Sequence, residues 1–217
     1  MREGGRQPHP RHSVLVARLC ESVCEQEVLA VATGMRRSEV LGLGWRDVDL
    51  DRQRLRVTRT LQRIPSADGR RPLGFLDPKT DRSRREIALP PFAVERLRRH
   101  RQEQTARRLA LGPGWVDLDL VCEVDDGSAI DPDAFGKGFR RIARDAGLPA
   151  ATRLHDLRHG VATTMLGQGV HPAIASAVLG HSSAGFTMSV YQHVTDGMTA
   201  QAASAIEEAL GGPGRSR

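Results

Sequence analysis

In H-D-L-R-H, residues 155–159, an imidazole and a guanidinium stand three positions apart, His155 and Arg158. On a helix that spacing puts both on one face. Buried together without a ligand they would be a costly pair. A phosphate satisfies both, taking a bidentate fork from Arg158 and a single bond from His155. His155 and His159 are also four apart, the spacing of a helical zinc pair. The glutamate that accompanies that pair in zinc proteases is missing, however, and an adjacent guanidinium disfavours a cation. T-G-M-R-R-S-E (33–39) sets Arg36 just after a helix-breaking Gly34, with Glu39 three residues on. Glu39 either pairs with Arg36 and fixes its direction or stabilises a helix N-terminus. P-K-T-D-R-S-R-R (78–85) puts Lys79 in a turn between two strands, a hairpin tip from which a side chain reaches outward. L-G-H-S-S (179–183) places His181 at a corner after Gly180. Ten residues on, in TMSVYQHV (187–194), stands Tyr191, the only tyrosine of the chain. Taken singly, each has an ordinary reading: a solvated ion pair, a polar turn, a corner histidine, a packed phenol.

The elements that must carry these residues are mostly helical. Residues 14–33 hold apolar residues at mixed helical spacing and end at Gly34. Residues 36–50 predict a short helix running into a loop. LRVTRTL (55–61) alternates and is rich in β-branched residues, the pattern of a strand. Two short strands over 73–90 complete a small antiparallel sheet. A helix over 90–109 starts on Pro and presents Phe92, Leu97 and Leu109 opposite its arginines. VCEVDDGSAI (121–130) predicts a short hairpin. A helix over 131–148 has Asp131 as N-cap and Pro132 at its first position. Helices over 155–169, 171–180, 182–194 and 196–210 follow. The fold class expected is mainly α with a small antiparallel three-stranded β-sheet, an α+β arrangement. Residues 1–12 and 211–217, rich in Gly, Pro, Arg and Ser, are expected to be disordered around one domain over 13–210.

Composition narrows the partners. The net charge is +6, carried almost wholly by arginine, since Lys79 and Lys137 are the only lysines. Such a surplus suits a polyanion through phosphate contacts, while a GC-rich coding bias would enrich arginine too. The cysteines are Cys20, Cys24 and Cys122; an odd number without a Cys-x-x-Cys fits reduced thiols in a cytoplasmic protein. Cys20 and Cys24 are one helical turn apart, but no further ligand lies near them, and two small packed residues are the simpler account. No apolar run has the length of a membrane span, and the N-terminus lacks the apolar stretch of a signal peptide.

In order along the chain, Arg36, Lys79, His155, Arg158, His181 and Tyr191 form a constellation. With TGMRRSEVLGLGWRDVDL, PKTDRSRREIALP, LHDLRHGVATTML and LGHSSAGFTMSVYQHV around them, the sequence resembles the tyrosine recombinase (phage integrase) family over about residues 25–205. The resemblance implies that family's catalytic-domain fold and a metal- and ATP-independent enzyme that cuts and rejoins double-stranded DNA. Tyr191 would be the nucleophile, giving a 3′-phosphotyrosyl link. Arg36, Arg158 and His181 would bind the phosphate oxygens. His155 would take the phenol proton and Lys79 would protonate the leaving 5′-oxygen. Glu39 matches a family acidic position that supports the site without transferring a proton. No cofactor and no metal is implied. The family works as a homotetramer on DNA, with a monomer or weak oligomer expected without it, and with no membrane involved; a bacterial or phage-derived cytoplasmic protein follows. The family's N-terminal core-binding domain has no counterpart in this chain. The alternative is therefore a truncated, non-recombining DNA-binding fragment. A type IB topoisomerase shares this kind of site, but the motif blocks favour the recombinase.

Overall fold

Helix α1 (Glu25–Thr33) ends at Gly34, whose N–H donates to the Ala30 carbonyl at 2.9 Å. Gly34 takes a φ of +64°, and a Cβ there would stand 2.4 Å from Leu179 Cδ2, so only glycine fits the corner. Helix α2 (Arg37–Gly42) begins three residues later and buries Val40 and Leu41 completely. The structure, a computed structural model, describes residues 25–78 and 83–180. The expectations for 1–12, 182–194, 196–210 and 211–217 lie outside the described residues.

The expected three-stranded antiparallel sheet is present, though with other members. It runs β1 (Val48–Asp49), β2 (Arg54–Arg56), β5 (Glu86–Ala88), with Leu55 opposite Ile87. The strand expected over 55–61 breaks in two, and its second half, β3 (Thr60–Arg63), pairs instead with β4 (Leu73–Leu76), Leu61 opposite Phe75. The break has a cause: Arg59 turns inward and donates from Nε to the Gly42 carbonyl at 2.7 Å and from Nη2 to that of Asp119 at 3.1 Å. Consequently β4 and β5 belong to different ladders. The strands on either side of the expected turn, β4 and β5, therefore do not pair as a hairpin, and Lys79 itself lies outside the described residues.

Helix α3 (Pro91–Leu111) buries Ala93, Val94, Leu97, His100 and Gln104. Of the face expected from Phe92, Leu97 and Leu109 only Leu97 is buried: Phe92 is 42% and Leu109 77% exposed. The spacing of 93, 97, 100 and 104 is the one that follows a single helical stripe. His100 Nε2 and Gln104 Nε2 reach the carbonyls of Val121 and Leu120, which anchors the 121–130 turn with its single Glu123–Ala129 bridge. Helix α4 (Pro132–Asp145) starts as expected, with Asp131 Oδ1 accepting from the N–H groups of Asp133 at 2.8 Å and Ala134 at 3.1 Å. Helices α5 (Leu154–Gly167) and α6 (Pro172–Leu179) follow, and Gly180 closes α6 in the left-handed region at φ +65°.

The main core joins α1, α2, the three-stranded sheet and α3 through Leu29, Val40, Leu55, Ile87 and Leu97, with the thiol of Cys122 buried in it. Phe139 of α4 packs on Val31 and Leu157, which sets α5 against α1. Phe135 meets Leu41 and Leu61 and ties α4 to α2 and β3. Among the described residues no helix is long and apolar enough to cross a membrane.

Candidate active site

Arg36 stands in the three-residue link between α1 and α2, its backbone extended at the N-terminus of α2. Glu39, one turn into α2, is 2% exposed and satisfies both alternatives open to it. Its Oε2 accepts the Arg36 main-chain N–H at 2.8 Å, which caps the helix, and its Oε1 accepts Arg36 Nη1 at 2.8 Å, which sets the direction of the guanidinium. A second arginine completes the carboxylate: Arg85 Nη1 reaches Oε1 at 3.1 Å and Arg85 Nη2 reaches Oε2 at 2.9 Å. Burial pushes the Glu39 carboxyl up, but the hydrogen bonds and charge of Arg85, followed by those of Arg36, more than offset it and leave the group below the ordinary carboxylate value. Glu39 is therefore ionised at neutral pH.

The three carbonyls at the end of α6, those of Val178, Leu179 and Gly180, each accept from a different arginine. Arg85 Nε donates to Val178 O at 2.6 Å, Arg158 Nη2 to Leu179 O at 2.5 Å and Arg36 Nη2 to Gly180 O at 2.7 Å. Three guanidiniums at a helix C-terminus meet both its terminal carbonyls and its partial negative charge. The same arrangement holds the backbone immediately before position 181. Arg158 also donates from Nη1 to Gly34 O at 2.8 Å, so it clamps the α1 corner to the α6 end. It is 3% exposed, and burial, then the nearby Arg36 charge, pulls it down to about 9, still charged at neutral pH. His155, by contrast, is exposed. The two residues are not buried as a pair, and Arg158 gives one N–H of each terminal nitrogen to a main-chain carbonyl.

An open cleft of about 440 Å³ lies in front of this network. Arg36, Arg37, Arg63, Arg71 and His155 line it, with Asp133 the one acidic side chain among the described residues that do. Arg37 Nη1 is held by the Pro132 carbonyl at 3.0 Å, and Arg63 pairs with Asp131. Partial desolvation by its neighbours, then the charges of His159 and Arg158, holds the exposed His155 below the ordinary imidazole value, so at neutral pH it is uncharged and free to accept a proton. The His155 and His159 rings meet edge to face with centroids 4.6 Å apart. Among the described residues no cluster of three or more His, Cys, Asp or Glu is placed to hold a metal ion.

The structure thus brings together Arg36 from the link before α2, Glu39 from α2, and His155 and Arg158 from α5. Lys79, His181 and Tyr191 lie outside the described residues. Reasoning from sequence passed over Arg85, although it sits in the quoted 78–85 stretch. Its signal there was faint: three of the last four residues of that stretch are arginines, and only the fold selects the one that turns inward.

Residues 27–198 match the family model described as the phage integrase family. A tyrosine recombinase XerC-like protein of Caldanaerobacter subterraneus subsp. tengcongensis is 33% identical over 174 residues, which span 77% of this chain and 44% of that protein. An integrase of Streptomyces ambofaciens is 31% identical, over 76% of this chain and 42% of its own length. The chain spans less than half the length of these curated relatives. Among solved structures, a Tn1549 transposon integrase in complex with transposon right end DNA superposes with a TM-score of 0.71 at 22% identity, covering 97% of this chain and 67% of that one. The XerA recombinase gives 0.63 at 19% identity, over 99% of this chain and 68% of that one. These likenesses establish the fold as that of a tyrosine recombinase catalytic domain.

Proposed function

The chain belongs to the phage integrase family of tyrosine recombinases, and from that premise we propose that it is a site-specific DNA recombinase working through a 3′-phosphotyrosyl intermediate. The observation that carries the reading is the cleft. A guanidinium aimed by a buried carboxylate and an uncharged imidazole stand on one basic wall, which suits a phosphodiester. The Tyr191 phenol attacks the phosphorus. The new P–O bond forms as the bond to the 5′-oxygen breaks; His155 takes the phenol proton, and Lys79 gives one to the departing oxygen. Arg36, Arg158 and His181 bind the non-bridging oxygens, where charge builds in the transition state. A 5′-hydroxyl reverses the step, so the bond energy is conserved in the tyrosyl ester and no nucleotide is consumed. The guanidiniums supply the positive charge that a metal ion supplies in other phosphoryl-transfer sites. Glu39 keeps Arg36 in place without moving a proton.

Double-stranded DNA is the substrate, and a homotetramer on DNA is the assembly that exchanges strands. The Tn1549 integrase structure contains DNA, and a XerH recombinase, 23% identical with a TM-score of 0.62, was captured on its difH substrate after cleavage. A cytoplasmic, DNA-associated protein follows from the same reading. The second reading is that this chain binds DNA without completing recombination. Nicked suicide duplexes tiling the DNA around its coding sequence separate the two. Recombinase chemistry predicts a covalent adduct that survives denaturant and is absent from Tyr191→Phe; salt-sensitive binding with no adduct from any duplex supports the second reading instead.

A further inference from the structure

We propose that Arg85 is a positioning residue for strand cleavage, holding Glu39, and through it Arg36, in the direction that a phosphate requires. The inference rests on the reading of the site given above. Arg85 is fixed at both ends. Its main-chain carbonyl accepts the Val57 N–H at 2.9 Å, which extends the β2–β5 ladder by one bond. Its guanidinium uses every nitrogen: Nε on Val178 O at 2.6 Å, Nη1 on Ser83 O and on Glu39 Oε1 at 3.1 Å each, Nη2 on Glu39 Oε2 at 2.9 Å. The side chain is 6% exposed, so it acts through other residues and not by touching DNA. Gly180 is shaped around it, since a Cβ there would stand 2.9 Å from Arg85 Nη1 and 3.0 Å from Cζ.

The geometry shows what would be lost. Glu39 is the shared post: both its oxygens bond to Arg36 on one side and to Arg85 on the other. Arg36 is 36% exposed and has water as an alternative partner. If Arg85 goes, the carboxylate is held by Arg36 alone and can turn with it, and the Val178 carbonyl loses its donor. Lysine does not replace the fork, because a single ammonium cannot bridge both carboxylate oxygens and the helix end. Arg85 also begins six residues after Lys79.

Arg85→Lys and Arg85→Met are to be compared with the full-length wild type, alone and combined with Glu39→Gln. Single-turnover adduct formation at saturating duplex and duplex affinity are measured separately, below each variant's melting temperature. The expected result is affinity within about threefold of wild type, with the saturating cleavage rate down about a hundredfold for both substitutions, the scale of a reacting group misplaced by about 1 Å. In the Glu39→Gln background the further loss shrinks to about threefold or less, because residues acting through one another do not add. Wild-type cleavage by Arg85→Lys, or a loss confined to affinity, overturns the proposal. A second readout does not need activity. Hydrogen-bonded guanidinium protons of Arg36 are expected to give resolved NMR signals in the wild type, and Arg85→Lys to collapse them while the amide spectrum stays dispersed. Unchanged Arg36 signals also overturn the proposal. A wild type that forms no adduct on any duplex defeats the cleavage reading itself, and the NMR comparison then decides whether Arg85 positions Arg36.

Discussion

Replacing Glu39 by glutamine removes one charge and keeps the shape of the side chain, which makes its cost readable. The wild-type carboxylate is 2% exposed and accepts four N–H bonds, one from the Arg36 main chain and three from guanidiniums. In Glu39→Gln the amide nitrogen faces donors, and Arg85, 6% exposed, loses its counter-ion. Breaking a buried ion pair by removing one partner costs about 3–5 kcal/mol. The low end applies here, because Arg36 can turn to water and Arg85 keeps the carbonyls of Val178 and Ser83. A loss of about 3 kcal/mol is expected, equivalent to about 6–12 °C in Tm for a chain of this size. The sign of the pH dependence follows from the lowered carboxyl. The stabilisation is fully present above the ordinary value of 4.5 and is lost as pH falls through Glu39's own, lower value. Urea unfolding followed by circular dichroism, at neutral pH and stepwise down to about pH 3, measures both. A variant within about 1 kcal/mol of wild type at neutral pH, or a gap that stays constant into acid, refutes the reasoning.

Three further outcomes are expected. Burial pushes the Glu123 carboxyl up to about 6, so the protonated form favours the fold below 4.5 and that support is lost as pH rises through about 6. Glu123→Gln should therefore raise the melting temperature above pH 6 by about 2–4 °C, corresponding to about 1 kcal/mol after allowance for solvent screening, and should change little in acid. Arg71 lines the cleft, so Arg71→Ala should reduce the slope of log affinity for duplex DNA against log salt by about 1; an unchanged slope removes Arg71 from the DNA path. His155 lies below its ordinary value of 6.5, so the cleavage rate should be flat through neutrality and fall only in more acidic solution, and His155→Gln should abolish that limb.

Local signals along the chain reveal much of the site. Gly34 and Gly180 mark the two corners, Asp131 caps its helix, and the three-residue spacing of Arg36 and Glu39 foretells their pairing. These features depend on neighbours within one turn. Arg85 depends on partners 46 and 93 residues away, and nothing local distinguishes it from the arginines beside it. The burial of Arg158 was hidden for the same reason, since its acceptors are the carbonyls of Gly34 and Leu179 and not side chains with a recognisable spacing. The split of the 55–61 strand followed from Arg59, a polar residue whose inward turn is decided by distant carbonyls. Helix α3 was misread because Phe92 and Leu109 are apolar yet lie off the stripe that 93, 97, 100 and 104 define.

The central claim is that Tyr191 becomes covalently joined to DNA. Digestion of the adduct formed on a nicked suicide duplex, followed by mass spectrometry of the DNA-linked peptide, tests it most directly. The account predicts a single modified peptide with the nucleotide on Tyr191 through a 3′-phosphate, and no linked peptide from Tyr191→Phe. A link at any other residue, or an adduct that persists in Tyr191→Phe, contradicts it.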